Sequence, residues 1–214
     1  MSDEESIGRP EPEIHEDLRS GFHKELDDVS LLLPAVEDGL PFADLDGDGG
    51  LDPGEPLWVR TQSVGAAEID GIEATLDVFL PWDLTLSASW TTTEGDDLRT
   101  EAPLAGIPPD YGAAGLRWQG EWRWRPWLEA LVRWADDKDR LSPVEALDPG
   151  VGPGLDPVSL ASYDTFTLRA GLTLPPRLRL AISLENPSDE AYKPYLSRLY
   201  SPARNLALTA EYTF

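Results

Sequence analysis

The sequence predicts an all-β chain: an antiparallel transmembrane β-barrel segment of about eight strands, an incomplete part of a larger barrel. Three observations predict it. Segments of about ten residues alternate apolar and polar side chains, the period of an extended strand whose successive residues face opposite sides. Connections between these segments alternate between short and long. Aromatic residues gather at the segment ends, where an amphipathic ring gains most at a membrane–water boundary. A soluble antiparallel sandwich also has one apolar face, but it has no reason to combine that face with the other two features.

Taken in order, residues 1–67 form an irregular N-terminal segment with one possible strand, Arg19 to Leu33, whose apolar content is Phe22, Val29, Leu31 and Leu33. Residues 68–214 carry the regular barrel strands. Ile72, Ala74, Leu76, Val78 and Leu80 oppose Glu73, Thr75 and Asp77, and Leu84, Leu86, Ala88 and Trp90 oppose Thr85, Ser87 and Ser89. Weaker alternation runs through Tyr111 to Trp118 and Leu128 to Trp134. Phe166, Leu168, Ala170, Leu172 and Leu174 then oppose Thr165, Thr167, Arg169, Gly171 and Thr173, and Leu178, Leu180, Ile182 and Leu184 oppose Arg179, Ala181, Ser183 and Glu185. The last segment sets Leu206, Leu208, Ala210, Tyr212 and Phe214 against Asn205, Ala207, Thr209, Glu211 and Thr213.

Pro81 to Asp83, Gln119 to Arg125 and Pro175 to Arg177 are short connections, whereas Thr92 to Pro109, Asp136 to Ser162 and Pro187 to Pro202 are long and rich in Gly, Pro and Asp. Short turns on one rim and long loops on the other are the periplasmic and extracellular ends of an outer-membrane barrel. Trp82, Trp118, Trp122, Trp124 and Trp127 lie by the short turns, and Trp90, Trp134 and Tyr163 by the long loops, which reads as two girdles.

Charge and composition narrow the function. Forty acidic residues against 17 basic ones give a net charge of -23, which repels nucleic acid. No cysteine is present, so disulfides and thiolate chemistry are excluded. The two histidines, His15 and His23, both precede the regular strands, and no run is long and apolar enough for a transmembrane helix. No nucleophile–base set and no phosphate-binding glycine loop occur, so the chain does not read as an enzyme. Glu73, Asp77, Glu129, Glu185 and Glu211 fall on polar faces, with Arg117, Arg133, Arg169 and Arg179 as their expected partners in a wet lumen. The start, Met1 to Pro10, has no apolar stretch of signal type although the strands behind it look exported, so a further N-terminal part is expected.

The most specific local motif is Asp44 to Glu55. Asp44, Asp46, Asp48, Asp52 and Glu55 occupy positions 1, 3, 5, 9 and 12 of a calcium loop, Gly49 stands at the sharp turn, and Gly50 offers the carbonyl of position 7. A hard cation wants six to eight oxygens, which this spacing can converge. The alternative is an acidic loop tip that binds nothing. If Ca2+ binds, it orders an extracellular loop.

Several segments resemble the C-terminal half of TonB-dependent receptors. Gly71-Ile72-Glu73, behind the polar approach from Val64, resembles that family's Gly-(Val/Ile)-Glu strand motif. Pro103 to Pro109 resembles the segment that re-enters the barrel from an outer loop, and Leu184 to Tyr192 the element that ends on Asp-(Lys/Glu)-x-Tyr. Ser201-Pro202-Ala203-Arg204-Asn205 and the strand to Phe214 resemble the closing element. The resemblance implies a cell outer-membrane barrel of about twenty-two strands in contact with outer-membrane lipid. It implies recognition of the Phe214-ended strand by the barrel assembly machinery. It also implies coupling to the TonB system through a plug and TonB box outside this chain, and uptake of a scarce ligand such as an iron–siderophore or a cobalamin-like compound. Two other readings stay open: a complete small outer-membrane barrel of structural or adhesive role, and a secreted calcium-binding β-domain.

Overall fold

A computed structural model of the chain describes residues 13–52, 55–147, 160–175, 177–197 and 199–213. Phe214 lies outside them, as do Pro53 and Gly54 of the acidic loop. Eight strands form one antiparallel sheet in sequence order: β1 Glu13–Pro34, β2 Val59–Leu80, β3 Leu84–Asp97, β4 Tyr111–Gln119, β5 Trp127–Ala135, β6 Tyr163–Leu174, β7 Leu178–Glu185 and β8 Asn205–Tyr212. Each strand pairs with the next, and β1 and β8 are the two edges. Among the described residues the eight strands therefore do not close on themselves, which removes the support for a complete small barrel.

The register converts the alternation into two faces. One rung runs Leu84, Trp118, Leu128, Ala170, Ile182, Leu208, and the next runs Leu86, Leu116, Ala130, Leu168, Leu184, Leu206. Between them on the opposite face lies Thr85, Arg117, Glu129, Arg169, Ser183, Ala207. Apolar side chains on the first face stay exposed: Leu128, Leu168, Ile182, Leu206 and Leu208 all present large hydrophobic surface. Such a face is costly in water and suits lipid. The buried hydrophobic residues, Phe42, Ala67, Leu104 and Ala135, lie outside this face. No described residue belongs to an α-helix.

Three differences from the sequence reading concern length and face. The possible strand Arg19 to Leu33 is a 22-residue strand beginning at Glu13, and β2 begins at Val59, so position 67/68 lies within β2. His15 and His23 consequently belong to the sheet, opposite Asp77 and Asp70. The third difference is in the aromatics. Trp90 and Trp134 share a rung of the apolar face through Gly112, and Trp118 marks its other end. Trp127 pairs with Gln119 and Gly171, however, and Tyr163 with Ala135, both on the polar face. Parity carries the reason: Trp127 is two residues from Glu129, and Tyr163 two from Thr165.

Aromatic rings lie over glycines of neighbouring strands at three register positions, Phe22 over Gly71, Trp134 over Gly112 and Trp127 over Gly171. A methyl group on Gly112 would meet the Trp134 ring and stand 2.6 Å from the Ser89 carbonyl oxygen. On Gly171 it would stand 2.6 Å from the Trp127 indole nitrogen. Ring and glycine fill one space together.

Candidate functional site: the polar wall and its outer loops

The polar face forms a ladder of opposed charges. The Glu129 carboxylate accepts from Arg117 Nη1 at 3.1 Å and from Arg169 Nη1 at 3.2 Å, so one acid bridges two neighbouring strands. Arg117 also stacks over Trp127, its guanidinium carbon 4.5 Å from the ring centre. Nearer the short turns Arg179 faces Glu211 at 3.6 Å. Further out, Glu185 accepts from Ser183 and Asn205, and Asp77 from Ser87. These pairs are partly solvated and each stabilises by under about 1 kcal/mol. Trp127, Arg117, Arg125, Arg179 and Glu211 line a cavity of about 840 Å³ at the short-turn end.

At the other end the long connections are tied together. Arg140 donates to both oxygens of Asp96, at 2.7 and 2.9 Å, and reaches Glu94 at 3.3 Å, joining the β5–β6 connection to β3. These acids raise the pKa of the guanidinium further. Glu145 is buried and accepts from the Gly106 N–H at 2.9 Å, the Ser142 N–H at 2.9 Å and the Tyr195 hydroxyl. One carboxylate thus joins the β3–β4, β5–β6 and β7–β8 connections. Burial works to raise its pKa, but these donors outweigh burial and hold it below the usual carboxylate range. Burial and the Glu145 charge push the Tyr195 phenol well up. Lys138, also buried, sits over the Tyr195 ring at 5.3 Å, and burial lowers its pKa. Glu145 was missed by sequence reasoning, although Ser142-x-x-Glu145 is a capping-box pattern and the reciprocal bond from Glu145 N to Ser142 Oγ, 3.3 Å, is made. Nothing local announces its distant partners.

Beyond the strands the β1–β2 hairpin continues through Ala35 N to Trp58 O, 2.8 Å, and Ala43 N to Pro56 O, 2.9 Å, and the acidic loop is its tip. Asp44 accepts from Gly47 N at 2.6 Å and Gly49 N at 2.9 Å, and Asp48 from Gly50 N at 2.6 Å. Glu55 is buried and accepts from Leu45 N at 2.6 Å and Asp52 N at 3.1 Å, so the twelfth position closes on the first turn of the loop. Carboxylate oxygens of Asp44, Asp46 and Asp48 lie within 4.8 Å of one another. The charge of Asp48, then burial, then Asp46, Glu55 and Asp44 raise the Asp52 pKa, the signature of acids crowded together. Among the described sequence-predicted ligands, Asp44, Asp46 and Asp48 are brought together; Asp52 feels their charge, Glu55 points its oxygens at backbone N–H groups, and Gly50 closes a turn on Asp48.

Residues 18–186 match the family model described as TonB dependent receptor-like, beta-barrel. Among solved structures, the chain is similar to one titled "Copper transporter OprC", with a TM-score of 0.66 at 17% identity, over 92% of this chain and 28% of that one. At that identity the likeness is one of fold. The chain spans 28% of that protein's length. Comparison with curated proteins returned no match.

Proposed function

From a chain that belongs to the TonB-dependent receptor-like β-barrel family, we propose a wall segment of an outer-membrane transporter that takes up a scarce ligand, an iron–siderophore or a cobalamin-like compound, with energy delivered through TonB. The observation that carries the reading is the division of β2 to β8 into an exposed apolar face and a charged face, with short turns at one end and tied loops at the other. A wall of that kind needs lipid outside and water inside. Its arginine–carboxylate ladder provides a polar surface along which a hydrated ligand can pass, and the Glu145 clamp holds the outer loops in fixed relation to the mouth. Partners follow from the same reading: outer-membrane lipid on the apolar face, the barrel assembly machinery at the closing strand, and TonB through parts beyond this chain.

Uptake of radiolabelled ferric siderophores and of cobalamin by cells expressing the intact reading frame tests the proposal, with and without a functional TonB. Uptake of one ligand class that disappears without TonB is expected. Uptake that is unchanged by loss of TonB counts against it.

We propose in addition that Asp44 to Glu55 takes Ca2+ at the tip of the β1–β2 hairpin. Support comes from the convergence of Asp44, Asp46 and Asp48 and the mutual repulsion felt at Asp52, with Glu55 folded back onto the start of the loop. A bound cation relieves that repulsion and stiffens an outer loop.

A further inference from the structure

We propose that His23 and Glu25 of β1 chelate a divalent metal ion of the zinc class, with Asp70 of β2 orienting the imidazole and Glu68 of β2 supplying a further carboxylate. The site lies beyond the Trp90–Trp134 rung on the face that carries those rings. It goes beyond the uptake role and is separate from the acidic hairpin tip.

Strand geometry places the donors. Residues two apart on a strand face the same side, so His23 and Glu25 stand together on β1. The register sets His23 opposite Asp70 and Glu25 opposite Glu68, which makes two adjacent rungs of donors across one strand pair. Direct cross-strand partners have Cβ atoms about 4.5–5.5 Å apart, within reach of one another's side chains.

The imidazole decides what can fill the space between them. Its Nδ1 lies 2.7 Å from Asp70 Oδ1. An ionised carboxylate only accepts, so that ring nitrogen carries the hydrogen and donates it. The neutral ring then turns a lone pair at Nε2 toward Glu25 Oε1, 3.5 Å away. Two electron-pair donors facing each other need a cation between them. A proton serves poorly at that separation, because an N–H···O bond prefers about 2.7–3.2 Å. A tetrahedral metal with bonds of about 2.0–2.2 Å sets its nitrogen and oxygen ligands roughly 3.3–3.5 Å apart. The observed spacing is that of two ligands on one ion. Asp70 holds the other ring nitrogen as a carboxylate behind a metal-bound histidine does.

Charge favours the same occupant. Beyond Asp70 and Glu25, the two rungs carry Glu68, Glu94 and Asp96. Among the described residues Arg140 answers Glu94 and Asp96, and it leaves Asp70, Glu25 and Glu68 with the single imidazole. Asp70 first and then Glu25 raise the pKa of that ring, the mark of a negative field around it. A dication answers the field with twice the charge of a proton. The nitrogen donor selects the metal: imidazole suits zinc and copper, whereas calcium takes oxygen ligands. A bound ion joins the edge strand β1 to β2 above the apolar part of the wall.

The test adds an equimolar amount of Cu2+ to the full chain in detergent micelles and reads electron spin-echo modulation. Copper stands in for zinc because it takes the same donors more tightly and is paramagnetic. The remote nitrogen of a copper-bound imidazole gives a modulation that carboxylates and directly bound amides do not. The parent and His15→Gln should show it, and His23→Gln should lose it. Asp70→Asn should weaken copper binding about 10–100-fold and shift the modulation frequencies, since Asp70 is bonded to the remote nitrogen. Glu25→Gln removes a direct ligand and should cost no less. His23, Glu25 and Asp70 are exposed, and circular dichroism matching the parent shows that the variants are folded. Absence of imidazole modulation in the parent, its survival in His23→Gln, or unchanged affinity in Glu25→Gln or Asp70→Asn overturns the site. Each of these outcomes leaves the uptake proposal standing.

Discussion

Strands β1 and β2 run for 22 residues each and β3 for 14, whereas β4 and β5 run for nine and β7 and β8 for eight. A tilted strand crosses a bilayer in about 9–11 residues. The later strands are therefore cut to membrane height, and the outer parts of β1, β2 and β3 stand beyond the Trp90–Trp134 rung in water. The chemistry changes at that rung. Below it that face in β2 to β8 is Leu, Ile, Val, Ala and aromatic residues; above it the same face carries His23 and Asp70, 2.7 Å apart, then Glu25, Glu68 and Asp96. Asp70 and Glu25 raise the His23 pKa by hydrogen bonding and charge. Lipid on one side and water on the other force alternation, while water on both sides leaves composition free.

That contrast is tested most strongly by placing charge on the apolar face. Leu184→Arg or Leu206→Arg, on the rung between those of Trp118 and Trp134, should cost about 2–4 kcal/mol near the bilayer midplane, read as loss of assembled, heat-resistant protein in membranes. Ser183→Arg and Thr209→Arg, on the polar face, should be tolerated, and so should Ile72→Arg, one rung outside Trp90, at about 0–1 kcal/mol. Equal sensitivity of all five would erase the distinction between the two regions and between the two faces.

A smaller effect is expected at the boundary itself. Gly112→Val places a branched side chain against the Trp134 ring and the Ser89 carbonyl, and overpacking of this kind costs about 1–3 kcal/mol. Urea unfolding from lipid vesicles measures it. Double substitution with Trp134→Ala should recover part of the loss, because the ring is what the new side chain displaces.

Above the membrane the clamp around Glu145 should respond to acid. Its folded-state pKa lies below the ordinary 4.5, so its stabilisation is fully present above that value and disappears as pH falls through the lower folded value. Hydrogen exchange in residues 98–110 and 186–197 should accelerate in that window, and Glu145→Gln should show faster exchange already at neutral pH with little further change on acidification. A parent profile identical to that of the variant would remove Glu145 from the clamp.

The smallest effect belongs to the hairpin tip. Calcium should bind Asp44 to Glu55 weakly, at roughly 10⁻⁴–10⁻³ M, because no helices preorganise the ligands. Glu55→Gln should weaken it further and Glu37→Gln should not. Calorimetry showing no heat at millimolar calcium would leave an acidic tip only.

The same contrast explains what was legible in the sequence. β4 to β8 could be read almost to the residue because each is a single membrane crossing whose alternation is enforced by lipid. The outer halves of β1 and β2 could not. Their run from His23 to Asp28 is polar on both sides but for Leu26, and bulges at Asp17/Arg19 and Asp27/Val29 shift the parity midway. Asp28 and Gly65, both at positive φ, sit at the outer of these irregularities. The acidic loop stood out as a motif because its carboxylates are close in sequence. The clamp was not, since Gly106 and Tyr195 are 39 and 50 residues from Glu145. Trp127 does lie by a short turn, but its parity with Glu129 sets it on the polar face and outside a lipid-facing girdle.

The three ring-over-glycine positions have a further meaning for assembly. Two antiparallel strands with evenly alternating side chains can slide past each other by two residues and still keep the same faces together. A ring that fits only where its neighbour has no side chain cannot make that slide without striking a Cβ. Phe22 and Gly71, Trp134 and Gly112, and Trp127 and Gly171 therefore act as keys cut for single slots, one on each of three strand pairs. In a barrel whose strands are laid down one after another, such keys reject misaligned hairpins while they are still forming, before the wall is complete and errors can no longer be undone.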